Sequence, residues 1–169
     1  IIVNMNDAID SVRSCLIEVE KKSQITLNKI NVLIDPTEII TTRLTKSKKI
    51  NGSKIEKNDV SFLLKEAKKQ VEQNNFRLSN IHIFNHNYVV DNKFFKELPF
   101  NIYADQFSQE NVFLSVPKNI LKNISKVFHS CDIEINKFIS CSYSLGIGCF
   151  TQDQIDYGCG IIDMGYEKT

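Results

Sequence analysis

The sequence predicts an α+β fold: two helices on a small sheet over residues 1–116, then α/β elements to residue 169. Three observations carry this. Two stretches, 7–22 and 58–75, repeat apolar residues at helical spacing. Between and after them lie short runs rich in Ile, Val, Thr and Phe, as half-buried strands require. Pro117 then opens a new helical pattern, as proline does at a first helical turn, and the chain closes on an apolar run ending in Asp163-x-Gly165.

Taken in order, Asn4 or Asn6 caps a first helix to about Lys22, with Ile9, Val12, Leu16 and Val19 on one face. Ile30–Ile34 reads as a strand, Asp35-Pro36 as a turn, and Glu38–Thr45 as a second strand. Lys46–Lys57 is polar around Asn51-Gly52 and reads as an exposed loop. Its lysines, Lys46, Lys48, Lys49 and Lys54, suit either a solvated hairpin loop or an acidic peptide or membrane surface. Asn58 caps a second helix with Val60, Leu63, Leu64, Ala67 and Val71 as its stripe, and Asn74-Asn75 ends it. Leu78–Asp91 is a long strand, Asn92–Phe100 a loop, and Glu110–Val116 a fourth strand.

From Pro117 the pattern gives a helix with Ile120, Leu121, Ile124, Val127 and Phe128 inward, then a strand over Ile133–Ile139. A small-residue helix, Ser140–Phe150, contains Gly146 and Gly148, which suit tight packing. Asp156-Tyr157-Gly158 turns the chain into a buried last strand, Cys159–Asp163.

Net charge is +1, from 21 Lys and Arg against 20 Asp and Glu, which argues against a broad nucleic-acid footprint. No apolar run is long enough to span a membrane, and no signal peptide is visible. A start at Ile1-Ile2-Val3 reads as a domain boundary or truncation. Five cysteines with no CxxC pair read as reduced, buried thiols of a cytoplasmic protein.

No Gly-x-Ser-x-Gly, HExxH or Walker A motif occurs, and no catalytic residue or metal ligand set is assigned. His82 and His86, at i and i+4 on one strand, share a face but lack a third zinc ligand. His129 ends a helix, where a cation suits the dipole. Phe94, Phe95 and Phe100 crowd a loop and either fold back on the core or form a partner patch. Asp163-x-Gly165-x-x-x-Thr169 is the sharpest pattern. A strand there delivers a carboxylate, the glycine lets the backbone turn, and the threonine and backbone N–H groups face phosphate oxygens.

The order of these elements resembles the bacterial cell-division FtsA family of actin-like ATP-binding proteins. Three stretches carry it: Asp7–Lys22 with Asn31-Val32-Leu33-Ile34; Lys57-Asn58-Asp59-Val60 with Asn87–Asp91 and Leu98-Pro99-Phe100; and Cys159–Thr169, similar to the second phosphate loop of the actin superfamily. The resemblance implies an SHS2 (1C) subdomain over 1–116, a returning part of subdomain 1A over 117–150 and the start of 2A over 151–169, with ribonuclease H-like α/β elements. It implies that Asp163 orients a metal-bound water and that Gly165, Tyr166 and Thr169 line phosphates, with ATP and magnesium bound by the full-length protein. Glu167 departs from the pattern, standing where the family has a second glycine, and adds bulk and charge beside an anion.

Implied partners are other division proteins: FtsZ through a subdomain outside this sequence, tails of late division proteins through 1C, and further copies by self-association. Membrane contact would come through a C-terminal helix, also outside it, at the inner face of the cell membrane. The pilus-assembly protein PilM has a similar layout. An actin-fold sugar or acetate kinase is a third reading, disfavoured because no acceptor-site base is visible.

Overall fold

The Asn4 side chain accepts hydrogen bonds from the N–H groups of Asn6 and Asp7, at 3.0 and 3.5 Å, and so starts the first helix. The computed structural model describes residues 2–165. This first helix, α1, spans Met5–Ser23 and ends on Gln24 in the left-handed conformation. The elements that follow are β1 (Lys29–Ile34), β2 (Ile40–Lys54), α2 (Lys57–Asn74), β3 (Leu78–Val90), β4 (Lys93–Phe95) and β5 (Tyr103–Pro117). Then come α3 (Lys118–His129), β6 (Glu134–Ser140), α4 (Cys141–Cys149) and α5 (Gln152–Tyr157).

These elements form two compact units, residues 1–38 with 118–169, and residues 39–117. In the first, β1 pairs in parallel with β6, from Lys29 opposite Glu134 to Ile34 opposite Ser140. Lys29 Nζ lies 2.7 Å from Glu134 Oε1 across this pair. Helix α1 packs on α3, and α4 on β6 and β1. The second unit enters the chain between β1 and α3. It is a four-stranded antiparallel sheet in the order β2-β5-β3-β4, with α2 packed on β2 and β5.

The α2 stripe enters the sheet as the spacing predicts: Leu63, Ala67 and Val71 are buried. Near its N-terminus Leu63 joins Ile50, Ile55, Tyr88, Val90, Ala104 and Phe107; further along, Ala67 and Val71 meet Phe113. Between Phe107 and Phe113 on the same face of β5 lie Gln109 and Asn111, 2% and 0% exposed. Gln109 Nε2 donates to Asn111 Oδ1 at 2.9 Å.

The mixed α+β class stands, but the expected pairing of both helices on one sheet does not. Within residues 39–117 it is α2 that packs on the antiparallel sheet, whereas α1 packs on α3 and β1 pairs with β6. Periodicity identifies an element without naming its partner, and β1, with Lys29 and Asn31 among its residues and alternating exposure, does not show by its pattern which strand it joins.

The polar segment 46–57 is not a loop. β2 continues to Lys54 because β5 pairs with it down to Tyr103, seven residues before the expected start at Glu110. Asn51 and Gly52 take φ of 52° and 75° and make a bulge, with Lys49 opposite Gln106 and Ser53 opposite Ala104. A methyl on Gly52 would lie 4.0 Å from Asp105 Oδ1, so space is available and only the backbone resists. Gly52→Ala is therefore expected to cost about 1 kcal/mol, read as a shift in urea midpoint.

Asp91 and Asn92, at φ of 44° and 66°, form a two-residue hairpin turn into β4, so Asp91 turns the chain rather than ending the strand, and β4 lies inside the segment expected to be a loop. The cap of α2 is Glu56, one position before its first helical residue Lys57 and two before the expected Asn58. Gly146 and Gly148 face open space rather than a close neighbour. No disulfide forms among the described residues, but no cysteine is buried: Cys15, Cys149 and Cys159 are exposed, and Cys131 and Cys141 half-buried.

The expected last strand, Cys159–Asp163, is not a strand, and its side chains are exposed. An apolar run becomes a strand only when a neighbour takes its backbone hydrogen bonds, and no described strand does so. No helix among the described residues is long and apolar enough to cross a membrane.

Candidate functional site

The phosphate-loop reading depends on a strand that seats Asp163. Asp163 and Gly165 instead lie in exposed, irregular chain after α5, where Ile162 and Met164 are 77% and 80% exposed. Tyr166, Glu167 and Thr169 lie outside the described residues. An anion cradle needs several backbone N–H groups converging on one point. Asp163 and Gly165 lie in no helix or strand that would aim such groups, so no step through ATP or magnesium is derived from them.

The regular alternation that would put His82 and His86 on one face is interrupted between them. The register of β3 against β5 shifts between Asn80 and His82 and again between Asn85 and Asn87, so His86 is an unpaired bulge residue. His82 stacks on Phe84, with ring centroids 5.5 Å apart, and burial holds its pKa below the ordinary histidine value. Among the described residues no group of three His, Cys, Asp or Glu is placed to hold a metal ion.

What residues 39–117 do offer is a charged, aromatic-edged surface. At its centre Lys48 on β2 reaches the first turn of α2, where its Nζ lies 2.6 Å from Asp59 Oδ1. The Glu56 N–H donates to Asp59 Oδ2 at 2.9 Å, and the Asp59 N–H donates to the Glu56 carbonyl at 3.1 Å. The Glu56 side chain also faces the Asp59 N–H, so the two residues form a capping box. Burial alone would raise the Asp59 pKa. The hydrogen bonds from Lys48 and from the Glu56 backbone, and the Lys48 charge, outweigh it and hold the carboxyl below its ordinary value. Sequence reasoning missed this node, although the Glu56-x-x-Asp59 spacing is a recognisable start signal.

The aromatic loop divides between its two expected roles. Phe95 and Leu98 pack against the core. Phe94 and Phe100 remain 78% and 44% exposed. Lys57 Nζ sits 5.9 Å from the Phe100 ring centre, and Lys54 Nζ 5.2 Å from that of Tyr103, itself 66% exposed. Cations over exposed rings make a rim suited to contact with another macromolecule.

No protein-family model matches the chain. Three curated sequences are similar to it over 160 residues at 21% identity: "Cell division protein FtsA" of Agrobacterium fabrum, of Rhizobium radiobacter and of Rhizobium meliloti. The match takes in 94% of this chain and 36% of each relative, so the chain spans little more than a third of their length. The resemblance to FtsA read from the sequence is thus borne out, as similarity to part of that protein.

Proposed function

We propose that this chain is part of an FtsA-like scaffold of bacterial cell division that works by protein–protein contact. The observation that carries this reading is the similarity to FtsA across 94% of the chain. The order of elements supports it: a unit of one strand, a helix and three further strands, residues 39–117, interrupts an α/β unit with parallel strands. In this reading the SHS2 (1C) role falls to 39–117 rather than 1–116. Residues 1–38 and 118–150 would belong to 1A, and 151–169 would enter 2A. Late division partners and neighbouring copies would dock on 39–117, and FtsZ on a subdomain beyond this sequence. ATP and magnesium would be held by the longer protein, with Asp163, Gly165, Tyr166 and Thr169 at the phosphates.

The test uses the full-length protein in its own cells. Depletion should produce undivided filaments. A version with residues 39–117 replaced by a Gly-Ser linker should fail to rescue division while still accumulating as a folded protein. Normal division after depletion, with loss of surface pili instead, would move the assignment to the PilM-like reading.

A further inference from the structure

Strand β2 is an edge of its sheet, and among the described residues it pairs with β5 alone. An antiparallel edge turns alternate N–H and C=O groups outward, free to accept another strand. This edge is long, 15 residues, where strands usually run about five or six. Along it stand Arg43, Lys46, Lys48, Lys49 and Lys54, and no acidic residue. Alternation puts Arg43 and Lys49 on the face away from α2, and Lys46 and Lys48 on the face toward it. Cations therefore flank both sides of one free backbone edge. Of the five, only Lys48 is in an ion pair among the described residues. Between the exposed Arg43 and Lys49 lie Thr45 and Ser47 on the same face, small enough for a neighbouring strand to approach.

We propose that this edge docks an acidic segment in extended conformation, which adds a fifth strand beside β2 and sets its carboxylates against Arg43, Lys46 and Lys49. Backbone pairing supplies the register and charge complementarity the choice of partner. The inference concerns the chemistry of the edge and does not rest on the division role. Lysines also guard free edges against self-pairing. A guard repels other copies of the same basic strand, whereas a docking strand also attracts an acidic one, and this difference can be measured.

The probe is a fluorescein-labelled peptide of alternating Glu and Thr, titrated into the whole chain at low salt. Binding is expected, with slowed amide exchange confined to β2. It should weaken at least about tenfold in the R43E/K49E double variant, and less in R43Q/K49Q. Circular dichroism of both variants should match the parent, since Arg43 and Lys49 are exposed. A peptide of the same charge with proline at alternate positions should not bind, because it cannot pair its backbone. Absence of binding would overturn the proposal. So would equal binding by the proline peptide, by oligo(dT) or by anionic phosphatidylserine vesicles, each of which would mean charge attraction without strand addition.

Discussion

Replacing Phe107 by alanine is expected to cost about 3–5 kcal/mol and to unfold much of residues 39–117 at physiological temperature. Phe107 is 0% exposed on the central strand, between Lys48 of β2 and Val90 of β3. Its ring lies 5.9 Å from that of Tyr88, and it shares a cluster with Ile50, Ile55, Leu63, Val90 and Ala104. Every element that closes this end of the unit touches that cluster, so little can collapse into the cavity left by the ring. A whole domain is commonly stable by only about 5–15 kcal/mol, so this one truncation takes a large share. The measurement is urea unfolding with amide exchange across β2, β3 and β5. Leucine at 107 should recover part of the loss by refilling volume. A cost below about 1 kcal/mol would mean that this cluster is not the core.

What could be read in advance divides along a physical line. Local signals were legible: the Asn4 cap, the Leu63–Ala67–Val71 stripe, and the strands β1, β3 and β6. Pairing was not. Residues 103–109 look polar, yet Gln109 is buried because it lies on the central strand beneath a helix. The lysines of 46–54 look like a loop, yet pairing with that polar strand makes them an edge. Composition reports what a side chain prefers, whereas the ladder depends on which backbone arrives beside it. The same reasoning explains Cys159–Asp163, whose apolar run is a strand only with a partner. Of the site, the basic and aromatic residues were visible in the sequence as types. Their assembly at one sheet end depended on β5 reaching Tyr103.

The second large effect is expected at the Lys48–Asp59 contact. Asp59 does two things at once: it accepts from the Glu56 N–H at the start of α2, and it accepts from Lys48 on β2. It therefore pins the helix start to the sheet edge. Removing both roles with Asp59→Ala should cost about 2 kcal/mol. About 1 of this comes from the cap and about 1 from a charged hydrogen bond, the latter reduced because water reaches Lys48, whose side chain is 40% exposed. Lys48→Met should cost less, but it should raise the Asp59 pKa, since the carboxylate, with its side chain 10% exposed, would keep its burial and lose its cation.

The sign of the pH dependence follows. The folded pKa of Asp59 lies below the ordinary 3.8. Its contribution is therefore complete above that value and disappears as pH falls through the folded one. In the parent chain the loss falls below about pH 4; in Lys48→Met it should be smaller and end at higher pH, because the folded pKa moves toward the unfolded one; in Asp59→Ala this component should be absent. A double-mutant cycle at pH 7 should return a coupling of about 1 kcal/mol that largely vanishes in acid. A coupling near zero at pH 7 would show that the two side chains are neighbours without being partners. The helix start would then be held by the capping box alone, and β2 would be free to move relative to α2 when a partner strand binds its edge.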